Sequence, residues 1–258
     1  MRALSLHPEV ILLTSRIWQT NCVLLRGGEE CFLLDSPILP DELQALPALL
    51  EQSGVGLSGL LVTHADWDHL LGRLAFPQAP LGCAETTAAR MRSAPGEPQR
   101  ELRSFDEEYY LQRERPLTLG SVQALPVPGH CEIGPYELDL HPTDGHTCEG
   151  MAVHAGWAGV LAVGDYLSEI EIPNFALGGG SLEAYLATLE RLRALLSDVE
   201  HVIPGHGPVL SCERALAVLE RDRAYLEDLK RRGEGAQLPA RLRTRAQHEL
   251  HMANLAAL

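Results

Sequence analysis

Apolar residues in this chain come mostly in short runs closed by glycine, proline or acidic residues, a pattern of buried strands more than of long helices. Runs at 9–13, 22–26 and 31–34 predict three strands, with Gly27-Gly28-Glu29-Glu30 turning the second into the third and Asp35 ending it. Leu43, Leu46, Leu49 and Leu50 then recur at helical spacing. They predict a helix over 41–53, closed by Gly54 and carrying Pro47 inside it. A strand at 60–62, a strand at 80–84 and a short helix at 85–92 follow. The charged stretch 94–116, punctuated by Pro95, Pro98 and Pro116, reads as a long connection on which Tyr109 and Tyr110 sit.

A second series of strands is predicted at 122–127, 137–141, 151–154 and 159–163, and a further apolar stretch, His201-Val202-Ile203-Pro204-Gly205, precedes His206. The clearest helix spans 181–198, with Ser181 as its N-cap, Glu183 in its first turn, and Leu182, Tyr185, Leu189, Leu192, Leu195 and Leu196 along one stripe. Two more helices are expected at 212–232, ending at Gly233, and at 239–255. Strands alternating with helices predict a layered α/β chain. The second half repeats the rhythm of the first, so we expect one domain over 1–258 with halves of about 1–115 and 116–258 and C-terminal helices from about 211.

Composition narrows the function classes. Of 258 residues, 45% are hydrophobic and 22% charged, enough to bury a full core. The net charge of −14 sets 35 acidic against 21 basic residues, with Lys230 the only lysine. That field repels polyanions, so nucleic acid is not an expected partner. No apolar run approaches the ~20 residues of a membrane span, and the N-terminal residues lack a signal-peptide core, so a cytoplasmic protein without membrane contact is expected. The six cysteines show no CxxC pair and are read as reduced; Cys148 stands out for lying two residues past His146.

The chemistry concentrates in Thr63-His64-Ala65-Asp66-Trp67-Asp68-His69, directly after the strand at 60–62 and where Asp68 onward reads as the opening of a helix. Aspartates there could simply cap the helix. Capping does not account for two histidines bracketing them, whereas four ligand-type side chains on one turn suit a metal site. Three further residues stand at the ends of apolar strands, or in the loop between two of them: His146 in Thr143-Asp144-Gly145-His146-Thr147, Asp165 after Val163-Gly164, and His206 in Pro204-Gly205-His206-Gly207-Pro208. Asp35 is either a turn initiator or a carboxylate that orients a metal-binding histidine. His130 in Pro128-Gly129-His130 reads as a loop residue outside the site, and His248 and His251 as packing or surface residues.

This order of residues resembles the ligand order of the metallo-β-lactamase-fold hydrolases over nearly the whole chain. The resemblance implies a four-layer αββα sandwich. It also implies a dinuclear site in which His64, Asp66 and His146 hold one ion, Asp68, His69 and His206 hold the second, and Asp165 bridges them. Asp35 would act behind the ligands, and Asp68 would also serve the attacking water catalytically. Two divalent ions are implied, zinc first, with manganese or iron also suited. The chain departs from the usual His-x-His-x-Asp-His pattern at Asp66, where the family carries histidine, and a harder first site is expected.

The same resemblance implies a metal-dependent hydrolase that uses a metal-bound hydroxide on a small ester, thioester or lactone. A nuclease is disfavoured by charge and by the lack of an RNA-binding arm. A β-lactamase role is disfavoured by the position of Lys230, and an electron-transfer version by the lack of a following flavodoxin-like domain. Two other readings stay open: a mononuclear iron oxygenase acting on a thiol or persulfide, and a metal-binding protein without turnover.

Overall fold

The apolar runs of the first third pair edge to edge. In the computed structural model, which describes residues 1–52 and 54–258, β1 (Arg2–His7), β2 (Val10–Thr14), β3 (Asn21–Gly27) and β4 (Glu30–Leu34) form an antiparallel ladder. Strand β1 was not expected. It is an edge strand, exposed along most of its length, so no apolar run announces it. After α1 (Pro40–Gln52) the chain continues the sheet in parallel, with β5 (Gly59–Leu61), β6 (Leu81–Ala84) and β7 (Val122–Leu125) in sequence order. Helix α1 tolerates Pro47 and buries Leu43, Leu46 and Leu50; residue 53, its expected end, lies outside the described residues.

Between these strands lie α2 (Gly72–Ala75), α3 (Glu85–Ser93) and α4 (Glu97–Glu108). Helix α4 corrects the expectation of a loop over 94–116. Gly96 starts it with φ at 79°, and Pro98 falls in the first turn, where no N–H is needed. Its buried Pro98, Leu102 and Phe105 recur at helical spacing among charges that had read as a connection. The expected loop around His130 is also a strand: β8 (Gly129–Ile133) pairs antiparallel with β9 (Tyr136–Pro142).

Contacts divide the chain into two compact units, Met1–Leu140 and His141–Leu258. The first packs Leu33, Leu46, Leu60, Leu70, Leu71 and Leu81 into one core. In the second, β10 (Met151–Ala155) runs antiparallel to β11 (Val160–Ala162), which runs parallel to β12 (His201–Ile203). Against them pack α5 (Leu182–Leu195), α6 (Cys212–Arg232) and α7 (Arg245–Ala256), around Tyr166, Phe175, Tyr185, Leu189, Leu219 and Leu226. Ser181, Ser211 and Thr244 cap the three helices, each accepting a backbone N–H three residues on. Thr244 therefore starts the last helix later than the expected 239, and residues 240–242 form only a 3₁₀ turn. His251 is buried with Nδ1 2.9 Å from Tyr225 Oη, whereas His248 lies on the surface.

Among the described residues the strands fall into two sheets and the helices number seven, a mixed α/β fold of the class expected. No helix is long and apolar enough to cross a membrane. All six cysteines are free thiols, with Cys148 exposed.

Candidate metal-ligand clusters

Parallel pairing of β4 with β5, Leu34 opposite Leu61, sets Asp35 beside the turn that follows β5. Asp35 adopts a left-handed backbone (φ 58°), its N–H bonded to the Leu61 carbonyl at 2.8 Å. Its buried carboxylate accepts the Thr63 N–H on Oδ1 (2.8 Å) and the Thr63 hydroxyl on Oδ2 (2.9 Å). Oδ2 also lies 3.0 Å from His69 Nδ1.

The Thr63 hydroxyl, having given its proton to Asp35, accepts from His64 Nδ1 at 3.0 Å. A proton on Nδ1 of each ring matches both of these neighbours and leaves the lone pair on Nε2, the tautomer a metal ligand needs. Their rings stand 4.2 Å apart, and His64, Asp68 and His69 are all buried. His64 Nε2 is 3.6 Å from Asp66 Oδ2, and His69 Nε2 is 3.7 Å from Asp68 Oδ2. The 3₁₀ turn Trp67–His69 produces this convergence, and the Ser36 hydroxyl fixes it by donating to the Asp68 carbonyl at 3.2 Å.

Two residues that sequence reasoning missed complete this cluster. Thr63 relays Asp35 to His64, and Arg90 of α3 places Nη1 2.8 Å from Asp66 Oδ1. Nearby on α4, Glu101 reaches solvent, yet its carboxyl is pushed up to about 7, first by desolvation and then by the charge of Asp66.

In the second unit, parallel pairing of Ala162 with Ile203 brings Asp165 and His206, each three residues further on, side by side. Asp165 Oδ2 lies 3.5 Å from His206 Nε2 and 3.3 Å from His146 Nε2. His146 is positioned at three points. Its N–H donates to Tyr166 Oη (2.8 Å), its Nδ1 donates to the Asn174 carbonyl (2.8 Å), and Gly145 before it bends at φ 128° against the backbone of Tyr185. Again Nε2 keeps the lone pair. Asn174 and Tyr166 were not legible as partners because the sequence does not show which carbonyl or phenol a distant loop will meet.

The His130 side chain is 63% exposed on β8 and lies 3.8 Å from Glu137.

Whether these donors fit divalent ions can be tested on spacing. Ligand atoms about 2.0–2.2 Å from a tetrahedral ion stand roughly 3.3–3.6 Å from each other. The four nitrogen–oxygen separations of 3.3, 3.5, 3.6 and 3.7 Å cluster at that value, beyond ordinary hydrogen-bond length. Neutral imidazoles with outward Nε2 and carboxylates facing them are a donor set that suits zinc, iron or manganese.

Comparison with solved structures agrees with the fold. The chain is similar to the metallo-beta-lactamase family protein TTHA1429 from Thermus thermophilus, at 23% identity over 90% of this chain and 85% of that one, with a TM-score of 0.67. It is similar to a di-iron-bound form of TTHA1623 at 23% identity, covering 80% and 97% of the two chains, with a TM-score of 0.62. The DIM-1 metallo-beta-lactamase exposed to ceftazidime matches at 16% identity over 88% and 96%, with a TM-score of 0.61. No curated protein matches the chain. The sequence model of the metallo-beta-lactamase superfamily matches residues 16–206, and on that span, which includes the strand-end histidines and aspartates described above, this chain belongs to the metallo-β-lactamase superfamily.

Proposed function

We propose that this protein is a metal-dependent hydrolase of a small ester, thioester or lactone. The residues that would hold its divalent ions are His64, Asp66, Asp68, His69, His146, Asp165 and His206. The observation that carries this reading is the fixed outward Nε2 of His64, His69 and His146, each facing a carboxylate oxygen at 3.3–3.7 Å. Bound divalent ions would supply a Lewis acid and lower the pKa of water towards neutrality. Asp68 is buried, with its backbone anchored by Ser36, so its carboxylate has a defined place from which to orient water and take up its proton. Asp35 keeps His69, and through Thr63 also His64, in the ligating tautomer.

Carboxylates among the donors favour a harder ion than an all-imidazole set would, so iron and manganese stand beside zinc. The di-iron form of the similar TTHA1623 supports including iron. The net charge of −14 points to a neutral or cationic substrate rather than a polyanion. The test is elemental analysis of protein purified without added metal, followed by an ester, thioester and lactone panel with oxygen uptake recorded. Hydrolysis that is lost with chelator and restored by metal supports the proposal. Oxygen consumption with a thiol or persulfide, without hydrolysis, would replace it with an iron oxygenase, and metal without turnover would leave a binding protein.

A further inference from the structure

Asp66 divides its two oxygens between two kinds of partner. Oδ2 faces His64 Nε2 at 3.6 Å, whereas Oδ1 forms an ion pair with Arg90 Nη1 at 2.8 Å. The Arg90 side chain is only 9% exposed, and that of Asp66 18%. A guanidinium withdrawn this far from water needs a carboxylate partner; Glu97 is further away at 3.9 Å, and Glu101 also feels the Arg90 charge. The placement follows from the sheet: β6 lies parallel beside β5, and α3 begins directly after β6, so its second turn, with Arg90, comes level with the turn that follows β5.

Resting on the reading of Asp66 as a metal ligand, we propose that Arg90 is its positioning residue. By occupying Oδ1, Arg90 leaves Asp66 a ligand through one oxygen and fixes the rotamer that turns Oδ2 toward the ion shared with His64. By its charge it cancels the negative charge that a carboxylate adds where an imidazole would be neutral. Asp66 and Arg90 therefore act as one unit, electrically equivalent to a single histidine. Neither half should be exchangeable alone.

The test is a competition titration of Zn²⁺ against a chromophoric chelator, with Co²⁺ absorption as a second readout, on wild type and four variants. Wild type is expected to bind two ions. Arg90→Met should weaken one of them about 10- to 100-fold and leave the other unchanged, the usual loss when the partner of a ligand is removed. Arg90→Lys, which keeps a cation but not the planar fork, should fall between the two and guards against a folding failure of the methionine variant. Asp66→His should also weaken that ion, because it leaves a buried guanidinium facing an imidazole and a divalent cation. Asp66→His combined with Arg90→Met should recover affinity to within a few fold of wild type and shift the Co²⁺ spectrum, a rescue that a merely structural arginine would not give. Unchanged affinity in Arg90→Met, or a double variant no better than Asp66→His, overturns the role of Arg90 while leaving the hydrolase reading in place. A wild-type chain that takes up no ion overturns both.

Discussion

Replacing Asp35 by asparagine changes one oxygen into an amino group and should reverse the proton order of two histidines. The Thr63 N–H donates to Oδ1, so the amide oxygen must occupy that place and the amino group must occupy Oδ2. There it meets the Thr63 hydroxyl and His69 Nδ1, both of which now donate. To relieve the clash, His69 moves its proton to Nε2, and Thr63 turns to accept from the amide and donate to His64 Nδ1. His64 then also carries its proton on Nε2. Both rings remain in place with their ligating nitrogens blocked.

Loss of one such orienting partner costs about 10- to 100-fold in metal affinity, or about 1.4–2.7 kcal/mol. Because the two rings share one carboxylate, the effects are coupled, and we expect about 100-fold or more on at least one ion. Asparagine is the suitable probe, since it tolerates the φ of 58° that alanine would strain. The assay is chelator competition on metal-free protein, with unfolding of the metal-free form followed in parallel. The metal-free change should stay within about 3 kcal/mol, the worth of hydrogen bonds to a charged group. Metal affinity within threefold of wild type would refute the tautomer argument.

Other consequences can be checked separately. His146→Ala should strip metal and activity while His130→Ala, altering a side chain exposed on β8, leaves metal content intact; the reverse by elemental analysis would show that the second-half ligands are misassigned. Gly145→Ala would put a Cβ 2.2 Å from the Tyr185 nitrogen at a φ of 128°, and should destabilise by on the order of 3 kcal/mol with loss of metal, measured by denaturant unfolding. Burial pushes Asp222 up to about 7, only partly opposed by Arg221, whereas in the unfolded chain it titrates near ~4. The folded state therefore holds the extra proton between these values. Stability from this group is complete below about pH 4 and is lost as pH rises to about 7, by up to about 1.4 kcal/mol per pH unit. Asp222→Asn should flatten the decline, and parallel pH profiles for variant and wild type would count against it.

The local part of the site was legible because its residues are neighbours in sequence. A strand followed at once by a tight turn must throw His64, Asp66, Asp68 and His69 together, and glycine before or after His146, Asp165 and His206 marks the strand ends that carry them. Helices α5 and α6 were equally legible, since long apolar stripes and serine caps are periodic signals. Helix α4 was not, because Pro95 and Pro98 read as breakers when Pro98 in fact falls in the first turn, and a largely charged helix buries only three residues. Strand β1, an exposed edge, carries no apolar run, and the strand around His130 was hidden by the prolines before it. The tertiary structure alone decided what partners these histidines and aspartates. Asp35 reaches His69 only through the β4–β5 register, Arg90 reaches Asp66 from α3, and the Asn174 carbonyl reaches His146 across a loop. Such contacts depend on the positions of backbone segments far apart in the chain, and periodicity, which reports only what neighbouring residues share, carries no information about them.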